Sequence, residues 1–145
     1  MIISDGKLWE LCERYGKQAR LWRQKFAGLL PEVFRRRLYE KKGFSSIFEC
    51  AAKLAGMSEE QVRRVLNLEK KFEEMPILKS LLIDGEVSVN KLARVASIAT
   101  SENEVFLAAQ VKLLSNRALE TLVKDEKAAD DVHVHANLQW ISESA

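Results

Sequence analysis

Three copies of one short signature govern what this chain can become. Ser46-Ile47-Phe48-Glu49, Ser58-Glu59-Glu60-Gln61 and Ser101-Glu102-Asn103-Glu104 each fit the S-x-x-E/Q capping box. In that box the serine hydroxyl accepts a free backbone N–H three residues on, and the Glu or Gln reaches back to the N–H of the serine. Ser88 and Ser115 are placed as simple N-caps, Pro76 opens a run to Leu82, and Gly85 closes it. Together these signals predict helices over 46–55, 58–74, 76–84, 88–99, 101–114 and 115–127, joined by very short turns. Two prolines and six glycines in 145 residues leave too little turn chemistry for an all-β domain. An apolar share of 47% suits one compact domain of ordinary size.

Before these helices, apolar residues fall at Leu8, Cys12, Tyr15, Ala19, Trp22, Phe26 and Leu29, in alternating steps of four and three. That spacing is one stripe along a long N-terminal helix, about three heptads of it. The stripe is expected to pack onto the domain or onto a second copy, with Trp22 in the core. Cys12 and Cys50 are expected to be buried thiols, since two distant cysteines make neither a disulfide framework nor a metal knuckle. Leu30-Pro31 is expected to break this helix and begin another that carries Arg35, Arg36 and Arg37 and ends at Gly43, after Lys41 and Lys42. At 100° per residue, at most two of those three arginines can face one partner.

The tail changes period. Val132, Val134, Ala136, Leu138 and Trp140 alternate with His133, His135, Asn137 and Gln139, the two-residue rhythm of a half-buried strand. One strand must pair with something: another chain, a copy of itself, or sequence beyond Ala145. The fold expected is therefore all-α, with a long N-terminal helix, a helix-turn-helix and one short C-terminal β-strand. Residues 1–44 form basic N-terminal helices, 45–127 a helical domain, and 128–145 a linker and terminal strand.

The net charge of +2 hides an asymmetry. Residues 1–44 hold eleven Lys or Arg against five acids, a net +6, and the remainder is −4. A basic first third fits a polyanion, and equally fits solvated helix faces. No apolar run is long enough to span a bilayer and no signal peptide is legible at the start, so a cytoplasmic protein with no membrane partner is expected. Glycine-rich phosphate loops, the G-x-S-x-G elbow and the H-E-x-x-H helix are all missing. His133 and His135 fall on one face of the expected strand, but two imidazoles without a third ligand make a weak metal site. No enzyme, metal or cofactor is expected.

The unit 48–68 carries the functional reading. A helix with Phe48, Ala51, Ala52 and Leu54 runs into Ala55-Gly56-Met57, and Ser58 caps a second helix with Val62, Val65, Leu66 and Leu68. That is the outline of a helix-turn-helix, whose second helix lies in a major groove. Gln61, Arg63, Arg64 and Asn67 are the candidates for base contacts. Arg35, Arg36, Lys41, Lys42, Lys70 and Lys71 are the candidates for phosphates. Glu59 and Glu60 favour the helix dipole but repel phosphate. The segments 82–99 and 113–123 have the same outline, so three helix pairs compete for the role.

The ordered series of motifs resembles the helical region that precedes the nuclease domain in bacterial HNH endonuclease-like proteins. The resemblance rests on Gly43-Phe44-Ser45-Ser46-Ile47-Phe48-Glu49 and the stretch from Ala52-Lys53-Leu54 to Val62-Arg63-Arg64. It continues in Pro76-Ile77-Leu78, Gly85-Glu86-Val87-Ser88, Thr100-Ser101-Glu102-Asn103 and Ser115-Asn116-Arg117-Ala118-Leu119-Glu120. It covers roughly residues 8–127. Residues 51–99 are more loosely similar to the DNA-binding helices of ParB-type partition proteins, through the junction Leu82-Ile83-Asp84-Gly85-Glu86-Val87-Ser88. The ParB-type likeness implies that 58–71 is a recognition helix buttressed by the helices after Pro76. The paired His and Asn of an HNH metal site are missing from this chain, so the resemblance reaches only a targeting region. The reading is a duplex-DNA-binding helical module. The alternative is a helical interaction module that forms a homodimer, or docks a partner protein, through the stripe from Leu8 to Leu29 or the terminal strand.

Overall fold

A computed structural model describes residues 2–144, with side chains described as far as Asp131. The described residues form eight helices and no strand. They are α1 (Asp5–Arg35), α2 (Leu38–Lys41), α3 (Ile47–Ala55), α4 (Glu59–Lys71), α5 (Pro76–Asp84), α6 (Val89–Ala96), α7 (Glu104–Leu113) and α8 (Asn116–Ser144).

The caps act largely as written in the sequence. Ser58 and Gln61 form a complete capping box at α4, with the Gln61 backbone N–H donating to Ser58 Oγ (3.2 Å) and the Ser58 backbone N–H donating to Gln61 Oε1 (2.9 Å). Ser46 accepts the Glu49 N–H at 3.1 Å, but Glu49 turns back to Ser45 instead, accepting both its backbone N–H and its hydroxyl. Those two bonds hold the Glu49 carboxyl below its ordinary range. Ser88 and Ser115 accept the N–H groups of Lys91 and Ala118. Gly56, at φ 63°, closes α3 in the left-handed region, and its N–H donates to the Ala52 carbonyl.

Two apolar clusters meet at α4. Val62 and Val65 pack with Ala27 and Leu30 of α1 and with Ile47 and Ala51 of α3. One turn further on, Leu68 and then Phe72 belong to a second cluster built from α5, α6, α7 and the start of α8. Val62, Val65, Phe72, Leu78, Leu92, Val95, Val111 and Leu119 have no measurable exposure. Glu104 is the one buried charged side chain among the described residues, and its Oε2 has no hydrogen-bond partner among them.

Four expectations are corrected. Residues 132–140 are helical, as part of α8, and no C-terminal strand is seen. A lone strand would leave its N–H and C=O groups unpaired, whereas a helix satisfies them within itself. The side chains on which the two-residue alternation was read, His133 and His135 among them, lie outside the described residues. Pro31 does not restart the chain: α1 runs through it to Arg35. Proline removes one intrahelical bond and crowds the preceding turn at a cost of about 3 kcal/mol, yet Pro31 is buried beside Ala27, Gly28 and Leu30, and that packing offsets the loss. The break falls instead at Arg37, whose φ of 53° is left-handed, so the three arginines do not share one helix.

The third correction concerns the stripe: Cys12 is exposed and Trp22 is 66% exposed, so neither is core, while Cys50 is buried as expected. Finally, Ser101 does not cap α7. The Thr100 N–H donates to Asn103 Oδ1 (2.7 Å) and the Asn103 N–H to Thr100 Oγ1 (3.3 Å). This reciprocal turn postpones the helix to Glu104.

Candidate nucleic-acid interface

α4 is amphipathic because Val62, Val65 and Leu68 recur every three residues and are drawn into the two clusters. That burial turns Glu59, Glu60, Arg63, Arg64, Asn67, Lys70 and Lys71 outward, all exposed. α3 and α4 are joined by the three residues Gly56, Met57 and Ser58, with Met57 buried beneath the turn.

The candidate side chains do not form one patch. Arg63 is tied down, its Nη2 lying 2.5 Å from Glu59 Oε1 and its guanidinium 4.8 Å above the Phe48 ring. Gln61 spends its carbonyl oxygen on the Ser58 cap, which leaves only its amide N–H groups for a ligand. Arg35 bonds Glu32 and, at 2.7 Å, Glu69, which Lys79 also approaches at 3.5 Å. Arg36 Nε donates to Glu32 Oε1 at 2.8 Å. The hydrogen bond from Arg36, with the charge of Arg35, holds the Glu32 carboxyl below its ordinary value. Lys41 and Lys42 stand apart at the end of α2, and Lys70 and Lys71 occupy the last turn of α4. Carboxylates therefore already compensate Arg35 and Arg36, on the side of α4 that meets α1 near Pro31 and Phe34.

The opposite side of α4 is different. Between α1, α4 and the start of α6 lies a hollow of about 330 Å³. Arg20, Arg23 and Arg64 edge it, with Gln24, Gln61, Ser88 and Asn90, over a floor of Ala27, Met57, Val65 and Val89. Arg64 Nη1 donates to Asn90 Oδ1 at 2.9 Å, which points the guanidinium toward α6, and Glu60 is a distant 3.8 Å from its other arm. Arg20 and Arg23 form no salt bridge among the described residues. Three arginines around a partly apolar floor suit a phosphate or another flat or tetrahedral anion, because a guanidinium presents a planar fork of donors.

Arg20 and Arg23 were outside the sequence-derived set. A signal exists for Arg20, since Arg20, Gln24, Ala27 and Pro31 recur at helical spacing as a second stripe on α1, and Arg23 flanks that stripe three residues after Arg20. No known family, curated protein or solved structure matches this chain. Among the described residues no group of three His, Cys, Asp or Glu side chains is placed to hold a metal, and no helix is long and apolar enough to cross a membrane. The Cys50 thiol is pushed up by burial, away from the thiolate that nucleophilic chemistry needs.

Proposed function

We propose that the chain is a DNA-binding helical module that grips the duplex along α4 and the adjacent face of α1. The observation that carries this reading is the convergence of Arg20, Arg23 and Arg64 on one hollow, with no salt bridge to Arg20 or Arg23 among the described residues. Phosphates occupy that hollow. Asn67 and the amide of Gln61 face base edges, Arg63 joins them by exchanging Glu59 for a base, and Lys70 and Lys71 approach the backbone from the last turn of α4. In this reading the helix pair α3–α4 acts as a helix-turn-helix. The chain is then the non-catalytic targeting region of an HNH endonuclease-like protein, in keeping with its resemblance to that family.

Fluorescence anisotropy with random-sequence duplex at two salt concentrations tests the reading. Affinity is expected to fall steeply with salt, and Arg20→Ala with Arg23→Ala to weaken binding roughly tenfold or more, with a shallower salt slope. Arg35→Ala with Arg36→Ala should change it far less, since their charge is already compensated. Absence of binding at low salt overturns the proposal.

A second, compatible reading rests on the stripe of α1. Tyr15, Trp22 and Leu29 are 59%, 66% and 60% exposed. Exposed apolar surface on this scale marks a site of self-association or protein docking. Such association should persist at high salt, where phosphate contacts fail.

A further inference from the structure

The two faces of α1 are opposite one another. At 100° per residue, Trp22, Phe26 and Leu29 fall within about 60° of each other, while Gln24, Ala27 and Pro31 centre about 180° away. The second group is packed against the body of the protein, with Ala27 and Pro31 buried. None of residues 2–26 is buried. A length of α1 of about 30 Å therefore stands along or beyond the body with its large side chains uncovered. Tyr15 and Trp22, at 59% and 66% exposure, together show on the order of 300 Å². Two such surfaces, with Leu8, Cys12, Ala19 and Leu29 and the uncovered edge of half-buried Phe26 added, reach the roughly 1,000 Å² that a specific interface needs.

We propose that a second copy of this chain covers the stripe, and that the two α1 helices pair antiparallel about a centre near Lys17. This deepens the self-association reading above and does not depend on DNA binding. Three observations select this occupant and this direction. Size is the first: with the centre at Lys17, Cys12 faces Trp22 of the second copy, Tyr15 faces Ala19, and Leu8 faces Phe26. Each layer then sets a small or aliphatic side chain against an aromatic one. A parallel pair would instead stack Trp22 on Trp22 and Tyr15 on Tyr15.

Charge is the second. Asp5, Lys7, Glu10, Glu13 and Arg14 sum to −1, and Lys17, Arg20, Arg23 and Lys25 to +4. Antiparallel pairing sets the half that carries the acids against the strongly basic half, whereas parallel pairing sets +4 beside +4. The third is a receptor for the helix end. Trp22, Phe26, Leu29, Leu54 and Ala55 line a hollow of about 490 Å³ beside the C-terminal end of α3. In this register Asp5, the first residue of α1, comes level with Leu29 of the second copy, at that hollow, whose rim also carries Arg23 and Lys25.

Sedimentation equilibrium and thiol cross-linking of the full chain test the proposal. The wild type is expected to have the mass of two chains, and Tyr15→Glu with Trp22→Glu to weaken self-association roughly 100-fold or more. Both residues are exposed in the single chain, so thermal unfolding should show an intact body. Cys12 reports direction. In the antiparallel pair the two Cys12 residues are about 15 Å apart along the axis, beyond the ~7 Å that a disulfide bridges, so mild oxidation leaves wild-type chains unlinked. Trp22→Cys should then yield disulfide-linked dimers. Leu8→Cys with Phe26→Cys in a Cys12→Ala chain gives a second route that keeps Trp22 and Tyr15.

A wild type that is monomeric at every concentration overturns both the proposal and the self-association reading. That holds equally for a monomer that binds vesicles of mixed neutral and anionic phospholipid. Undiminished mass in the Glu variants places the interface elsewhere and overturns the proposal. A rapid Cys12-to-Cys12 disulfide in the wild type overturns the antiparallel order while leaving the stripe as the interface.

Discussion

The two apolar faces of α1 have opposite fates, and hydrophobicity does not explain which is which. The face with Cys12, Tyr15, Trp22 and Leu29 carries large side chains and is exposed, while Ala27, Gly28 and Pro31, small or compact, are buried together with a single large side chain, Leu30. Shape accounts for the choice. At Gly28 the end of α5 comes so close that a Cβ would sit 2.3 Å from the Ile83 carbonyl oxygen. Gly85, at φ 66°, lets the turn after α5 meet the α1 backbone, where a Cβ would lie 2.7 Å from Lys25 Cα. Close backbone approach requires small residues, and the large ones are left for another surface.

The most severe way to break this contrast is Gly28→Ala. Better helix propensity returns about 1 kcal/mol. Forcing a methyl group against backbone costs about 3 kcal/mol, so a net loss of about 2 kcal/mol is expected in urea unfolding. A stability equal to wild type would mean that α1 and α5 do not cross as closely as described. Next is Ser58→Ala, which removes the N-cap of the helix that joins the two apolar clusters and should cost about 1 kcal/mol. The same melts should show α4 fraying at its first turn, read by hydrogen exchange at Gln61 and Val62.

A milder effect is expected from acid. Glu32 and Glu49 have carboxyls held below their ordinary value of 4.5, Glu32 through Arg36 and Glu49 through Ser45. A depressed folded value contributes stability that is fully present above the unfolded value and is lost as pH falls through the folded one. Stability should therefore decline below about pH 4.5, and Glu32→Gln with Glu49→Gln should flatten that decline. A decline of unchanged steepness would assign it to other carboxylates. Smallest of all on the body is Trp22→Ala, expected within about 0.5 kcal/mol of wild type in a dilute, monomeric sample. A loss of several kcal/mol would return Trp22 to the core and erase the contrast between the faces.

Much of the fold was legible because helix edges are local chemistry. Ser46, Ser58, Ser88 and Ser115 cap helices where their spacing predicted, and Gly56 and Gly85 close two of them in left-handed geometry. The candidate interface was legible only in part. α4 could be read as an exposed face of Arg63, Arg64, Asn67, Lys70 and Lys71, and the Glu32–Arg36 and Glu59–Arg63 pairs follow from i,i+4 spacing, but the salt bridge of Arg35 to Glu69, 34 positions away, is a long-range fact that no spacing reveals. Arg20 and Arg23 join Arg64 through a helix crossing, and they are 41 or more positions away from it in the chain.

The sequence by itself determined that the chain is helical, where most helices begin, and which faces are apolar, because caps and periodicity act within a few residues. Tertiary structure alone decided three things: which face of α1 is buried, that Pro31 stays inside a helix, and which arginines meet a carboxylate from a distant helix. Each depends on how closely two distant segments can approach, and that quantity is not carried by local sequence.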